Sequence, residues 1–188
     1  MTNTAIVVEE LSVLAGELHL LGPISFELPV GQALVIMGET GAGKSLLAQA
    51  ILGTLPEGLY SQGLVYLNGE RIDQLSPKQR SMFWGRQVAI LPQEPWRALN
   101  PLMAAANQVK ESHRLVACLG RSAALTATRN DFNTLGLTGA ERKLPSALSG
   151  GMAQRVAFAS ATAADAQVLI ADEPTKGLDA ERLSLIHI

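Results

Sequence analysis

A run of eight residues, GETGAGKS at Gly38–Ser45, has the residue types and spacing of a phosphate-binding loop. In the pattern G-x-x-x-x-G-K-S, glycines let the backbone curl until successive N–H groups point at a phosphate. The lysine, here Lys44, reaches the β- and γ-phosphates of a nucleotide, and the hydroxyl of Ser45 coordinates Mg²⁺. The predicted nucleotide contacts come from this run and the residue after it: Gly38, Glu39, Thr40, Gly41, Ala42, Gly43, Lys44, Ser45 and Leu46.

Two carboxylates follow an apolar run late in the chain. Val168–Ala171 is predicted to be a buried strand, and Asp172 and Glu173 come directly after it. Ligands of open α/β folds bind outside the carboxyl ends of the strands, so these side chains are expected beside the phosphate loop. We expect Asp172 to hold Mg²⁺, chiefly through water. Glu173 is expected to orient and polarise the attacking water, because phosphoryl transfer depends mainly on positioning.

Short apolar runs bounded by glycine and proline predict the strands that position these groups. The helix after the phosphate loop is predicted at Ser45–Leu52 and ends at Gly53. Asn68-Gly69 predicts a tight hairpin turn. The predicted strands are Ala5–Val8, Leu18–Leu20, Ile24–Leu28, Leu34–Met37, Leu64–Leu67 and Val88–Leu91.

Between Pro95 and Pro145 the composition of the sequence changes. Alanine-rich stretches at Met103–Val109 and Ser122–Leu135 favour helices. A further helix is predicted from near Gly151 to Ala164. Strands that alternate with helices indicate an α/β fold with a mostly parallel core sheet.

Composition limits the classes of function. The chain has 188 residues, of which 47% are hydrophobic and 17% charged, which predicts a globular domain. A net charge of −2 without a basic block argues against a nucleic-acid partner. No stretch approaches the ~18 apolar residues of a membrane span. The single cysteine, Cys118, excludes an internal disulfide and is expected to be a small core residue.

These motifs, taken together, resemble the nucleotide-binding domain of an ATP-binding cassette (ABC) transporter. GETGAGKS is followed in the family's order by LPQEP with Gln93, LSGGM at Leu148–Met152, LIADEP and GLD. The resemblance implies a P-loop NTPase core of RecA-like type, an N-terminal antiparallel β subdomain and an inserted helical subdomain. It also implies ATP and Mg²⁺ as cofactors.

The family pattern assigns roles to residues that spacing alone does not. Gln93 resembles the Q-loop glutamine, which contacts Mg²⁺ and the attacking water and senses the transmembrane partner. Ser149, Gly150 and Gly151 resemble the signature loop, which grips the γ-phosphate of ATP held by the opposite subunit. Asp179 resembles the D-loop aspartate at the dimer interface. The resemblance implies a dimer with a second nucleotide-binding subunit, identical or different.

The subfamily signal points to import. MAQRV at Met152–Val156, LPQEPWRALNP at Leu91–Pro101 and ILGTLP at Ile51–Pro56 are similar to segments of oligopeptide, dipeptide and nickel importers. Such a subunit is cytoplasmic, lies on the inner face of the cell membrane and works with transmembrane permease subunits and, indirectly, an extracytoplasmic substrate-binding protein. The alternatives are a phosphonate-type or other importer subunit, or a soluble ABC ATPase that acts on nucleic acid or ribosomes.

We predict one nucleotide-binding domain over 1–188 that is incomplete at its C-terminal end. Residues 1–94 are predicted to form the β subdomain and phosphate-loop core, 95–150 the helical subdomain, and 151–182 the rest of the core. The ending LSLIHI at 183–188 resembles translated adaptor sequence and is expected to be artefactual.

Three features depart from the family pattern. The family stacks adenine on an aromatic residue just after an LSV-like segment, whereas Leu14 and Ala15 follow that segment here. His19 could stand in, or could be a surface or structural histidine. Lys176-Gly177 replaces the commoner pair of small residues before Leu178. The switch histidine is expected beyond this chain, so the chain alone is expected to be inactive.

Overall fold

The computed structural model of the chain describes residues 4–172, apart from the side chains of residues 95 and 96. The chain forms two compact units, Met1–Gln87 and Val88–Ile188. Glu173, Asp179, Lys176-Gly177 and the ending at 183–188 lie outside the described residues.

The first unit is built on an antiparallel sheet with the strand order β2-β1-β3-β4. Leu11, Val13 and Val65 are almost completely buried and anchor its core. The helix α1 packs on β1 and β3, because five of its residues are apolar and buried. The elements of this unit are β1 (Thr4–Ala15), β2 (Leu18–Pro29), α1 (Lys44–Leu52), β3 (Tyr60–Leu67), β4 (Glu70–Arg71) and α2 (Pro77–Arg80).

Turn chemistry predicts the β3–β4 hairpin correctly. Asn68 and Gly69 connect the two strands, and both adopt left-handed backbone with φ of 50° and 81°. Asparagine and glycine tolerate that region better than other residues, which is why the dipeptide is typical of tight hairpins.

The predicted strand at Leu34–Met37 is wrong for the described structure. These residues have irregular backbone, and their side chains are 42–88% exposed. A strand needs neighbours that take up its backbone N–H and C=O groups, and no strand within residues 4–172 pairs with this run. The apolar residues predict burial, but they do not predict that a neighbouring strand is available for pairing.

The second unit has a two-stranded parallel sheet and a cluster of helices. Strand β5 (Val88–Leu91) pairs with β6 (Val168–Ala171), with Val88 opposite Val168. Phe132 and Leu137 lie in a core formed largely by the helices. The helices of this unit are α3 (Ala105–Leu115), α4 (Arg121–Thr134) and α5 (Gly150–Thr162), with 3-10 turns at Pro95–Ala98 and Pro145–Ala147. Within residues 4–172, no helix of either unit is long and apolar enough to cross a membrane.

Cys118 is exposed, so the prediction that it lies in the core is wrong. It lies between α3 and α4 in left-handed backbone with φ of 57°. The neighbouring apolar residues suggested burial, but the reversal of the chain between two helices takes place at the surface.

Candidate functional site

The predicted phosphate loop leads directly into helix α1. Gly41 and Gly43 adopt left-handed backbone with φ of 87° and 88°, which residues with a Cβ rarely adopt. Gly43 is the N-cap, and Lys44 is the first helical residue, one position before the predicted start. Because the first N–H groups of a helix have no partner within it, the first turn presents donors and a positive dipole end to an anion.

Lys44 lies within the curl of the loop. Its Nζ donates to the carbonyl oxygens of Gly38 at 2.7 Å and Glu39 at 2.8 Å. The loop is closed by the Ala42 N–H, which donates to the Glu39 carbonyl at 3.1 Å. An ammonium group has three donors, so Lys44 can keep a loop carbonyl and still donate to a phosphate. Ser45 follows in the first turn with an exposed side chain.

The far end of α1 is fixed by residues that the sequence analysis did not single out. Gly53 closes the helix with φ of 70°, and its N–H donates to the carbonyls of Ala50 and Gln49. The Trp84 indole Nε1–H donates to the Leu52 carbonyl at 3.2 Å. Arg80 is buried against Gly53, which brings a positive charge to the negative end of the helix dipole. This burial lowers the pKa of the Arg80 guanidinium below its ordinary value.

Asp73 connects three elements of the first unit. Its Oδ1 accepts from the Val65 N–H of β3 at 3.1 Å and from Arg71 Nε at 3.0 Å, and its Oδ2 accepts from Arg71 Nη2 at 2.9 Å. Its carbonyl accepts from Arg80 Nη2. Partial burial acts to raise the pKa of Asp73, but the hydrogen bonds from Arg71 and Val65 outweigh it and lower the pKa below its ordinary value.

In the second unit the structure brings Gln93 and Asp172 to the same end of the β5–β6 sheet. Leu91 ends β5 and lies opposite Ala171, and the Asp172 N–H donates to the Leu91 carbonyl at 2.9 Å. Both residues therefore follow the carboxyl ends of adjacent parallel strands. An amide oxygen and a carboxylate are hard oxygen ligands of the kind that Mg²⁺ prefers.

The predicted signature loop forms the start of helix α5. Ser149 is the N-cap, and its Oγ accepts from the Met152 N–H at 3.3 Å. Gly150 and Gly151 form the first turn, and a Cβ at Gly150 would meet open space. Serine at the N-cap and two small residues leave the helix end approachable by an anion from outside.

Arg155 holds this helix start in place, a contact that the sequence analysis did not predict. Its Nε donates to the Gly151 carbonyl at 3.2 Å, and its Nη1 donates to the Leu135 carbonyl at the C-cap of α4 at 2.9 Å. The signal was present in MAQRV, which the sequence analysis used for its similarity to importers alone.

Comparison with known proteins identifies the family. The family model for ABC transporters matches residues 21–176. The chain is 34% identical over 169 residues to the oligopeptide transport ATP-binding protein OppD of Bacillus subtilis, covering 87% of this chain and 47% of that protein. It is also 34% identical over 169 residues to the probable D,D-dipeptide transport ATP-binding protein DdpD of Escherichia coli, covering 87% and 52%. The chain thus spans about half the length of these relatives.

Solved structures show the same fold. The cbiO1 protein of Clostridium perfringens, part of the ABC transporter complex cbiONQ, superposes with a TM-score of 0.80 at 26% identity, covering 98% of this chain and 72% of that one. The ATP-binding cassette MJ0796, in a dimeric post-hydrolysis state with ADP and Pi, gives a TM-score of 0.81 at 23% identity, covering 96% and 79%. The predicted α/β fold of the P-loop NTPase class is therefore confirmed. With most of its length matched by the family model, this chain belongs to the ABC transporter family.

Proposed function

We propose that the whole protein is the ATP-binding and ATP-hydrolysing subunit of a membrane importer of the peptide or nickel type. Family membership and the names of the similar peptide-transport proteins support this proposal. The observation that carries its ATP-binding part is the loop before α1, where Lys44 Nζ lies against the Gly38 and Glu39 carbonyls. In this proposal Gly38–Leu46 cradles the triphosphate, and Lys44 donates to the β- and γ-phosphates.

Mg²⁺ fits the oxygen ligands that the chain offers. The Gln93 amide and the Asp172 carboxylate, at the same end of the β5–β6 sheet, would hold it, with Asp172 acting chiefly through water. Ser45 keeps its predicted role as a ligand of the ion. The ion supplies charge that stabilises the phosphates during transfer. Glu173, outside the described residues, is proposed to orient and polarise the attacking water.

The start of α5 is proposed to act on a second copy of the domain. Ser149, Gly150 and Gly151 offer a helix N-terminus with small residues, which suits the γ-phosphate of ATP bound by the partner. Asp179 is proposed to lie at the same interface. Two nucleotides would then be enclosed between two subunits, which are either identical or different.

The proposed contact with a permease is a cavity in the second unit. It has a volume of about 440 Å³ and lies beside the loop that leads to Gln93. Apolar residues dominate its lining, including Leu115 on α3 and Ala157 on α5. Ser160 also lines it, and its Oγ is buried without a hydrogen-bond partner in the described part of the chain. We propose that a segment of the permease docks here, which places the subunit at the cytoplasmic face of the membrane, with a substrate-binding protein on the other side.

The phosphate-loop assignment is tested by Lys44→Ala in the whole protein. Loss of the ammonium group removes charge from the β- and γ-phosphates, so Mg-ATP hydrolysis should fall to background. A Lys78→Ala variant, at an exposed position on α2, is the matched control and should hydrolyse ATP as the wild type does. Wild-type turnover by Lys44→Ala would contradict the proposed function.

A further inference from the structure

The first turn of α5 is built from residues that favour a helix poorly. Gly150 and Gly151 follow the N-cap Ser149, and glycine favours a helix less than any residue except proline. In the described part of the chain, a Cβ on Gly150 would have no neighbour within 4 Å, so no other element packs against that position. The capping bond from the Met152 N–H to Ser149 Oγ is long, at 3.3 Å. Such a turn needs a further contact to keep a fixed position.

Arg155 makes that contact from one turn further along α5. Its Nε donates to the Gly151 carbonyl at 3.2 Å, while its Nη1 donates to the Leu135 carbonyl at the C-cap of α4 at 2.9 Å. Both nitrogens belong to one planar guanidinium, so the two carbonyls are held in a fixed relation to each other. The charge of Arg155 also lies at the negative end of the α4 dipole. Arg155 therefore joins the start of α5 to the end of α4.

The end of α4 is a firm anchor for this contact. Just beyond the Leu135 carbonyl, the Leu137 N–H donates to the Phe132 carbonyl at 2.7 Å. The side chains of Phe132 and Leu137 are almost completely buried in the core of the second unit. The position of Gly151 is therefore tied, through Arg155, to a part of the unit that the core holds in place.

We propose that Arg155 positions the start of α5 for the γ-phosphate of the ATP bound by the second subunit. This inference rests on the proposed function, in which that phosphate meets Ser149, Gly150 and Gly151. Arg155 acts through the Gly151 carbonyl and orders the turn before the two subunits meet. Less conformational entropy is then lost when the subunits close on the nucleotide, so the ATP-bound dimer is tighter.

The test measures the dissociation constant of the ATP-bound dimer in the whole protein, with Glu173→Gln as the parent to prevent hydrolysis. Arg155→Lys keeps the charge but offers one nitrogen in place of two, so it should raise this dissociation constant about tenfold. Arg155→Ala should raise it at least as much. Both variants should bind Mg-ATP as the parent does at protein concentrations where the subunit is monomeric, because the phosphate loop is unchanged.

Two controls separate positioning from stability. Val109→Ala removes buried methyl groups from the same core, so it should lower the melting temperature without changing the dissociation constant of the dimer. Arg129→Lys, at an exposed position on α4, should change neither quantity.

The outcomes distinguish this inference from the proposed function. If the parent dimerised in ATP and Arg155→Lys had the same dissociation constant, the inference alone would fail, since charge would then suffice. An equal rise in Val109→Ala, or an equal loss of ATP affinity by the monomeric Arg155 variants, would also overturn it. If the parent formed no dimer in saturating ATP, the proposed enclosure of nucleotide between two subunits would fail, and this inference with it.

Discussion

Asp73 joins β3, β4 and α2 in the first unit through hydrogen bonds. It accepts hydrogen bonds from β3 and from Arg71, and its carbonyl holds Arg80. The sequence did not identify it, because an aspartate after a short strand is typical of any turn. Its partners come from three different elements, and no local sequence pattern predicts that these elements lie next to one another.

We predict that Asp73→Asn lowers the free energy of unfolding at pH 7 by about 1–2 kcal/mol, since hydrogen bonds to a charged group are lost. The pKa of Asp73 is lowered in the folded state, so its contribution is fully present above its unfolded-state pKa and is lost as the pH falls through the folded-state pKa. Denaturant unfolding from pH 7 down to about pH 3 should therefore show that the unfolding free energies of the wild type and Asp73→Asn converge below about pH 4. A constant difference across that range would contradict the assignment, and Glu57→Gln at an exposed position is the control.

At the scale of elements, the predictions that succeeded depend on local chemistry. Glycines in left-handed backbone flank α1, and the predicted end of that helix is correct to the residue. The bounds of β5 and β6 are also correct, because both are short apolar runs between polar turns. The strand at Leu34–Met37 failed because pairing is a non-local property. For the same reason the sequence placed Gln93 and Asp172 each after a strand but did not show that β5 and β6 are neighbours.

We predict that Gly53→Ala lowers the free energy of unfolding by about 2 kcal/mol or more. An alanine there would be strained in left-handed backbone, and its Cβ would also collide with the Arg80 guanidinium. Gly58→Ala is the matched control, since Gly58 also has a positive φ, of 85°, but a Cβ there meets open space. Thermal melts of the two variants measure the difference. Equal losses of stability in Gly53→Ala and Gly58→Ala would show that the contact between Arg80 and the end of α1 contributes nothing to the stability of the fold.

For the whole molecule, the motifs predicted the family and its fold, and the comparisons confirm both. The subdomain limits at 1–94, 95–150 and 151–182 stay predictions, as do the roles of Glu173 and Asp179. The cavity beside the Gln93 loop was not predicted. Its lining comes from β5, α3, α5 and the segment between β5 and α3, which are separate in the sequence. Such a surface exists only after the helices pack.

We predict that Leu115→Arg prevents assembly with the permease while leaving ATP affinity unchanged. Leu115 lines the cavity and is 68% exposed, so arginine there adds charge and bulk without disturbing the core. Leu102→Arg is the control, since Leu102 is 88% exposed and does not line the cavity. Co-purification of each variant with the permease measures assembly. Normal assembly of Leu115→Arg would place the docking site elsewhere.

The most direct test of the account is the mass of Glu173→Gln in solution, measured by light scattering with and without saturating Mg-ATP. The amide keeps the shape of the side chain but loses the charge that polarises water, so ATP should bind without being hydrolysed. We predict a dimer with ATP and a monomer without it. Adding Ser149→Arg should leave a monomer that still binds ATP. A Glu173→Gln protein that stays monomeric in saturating ATP would contradict the enclosure of nucleotide between two subunits.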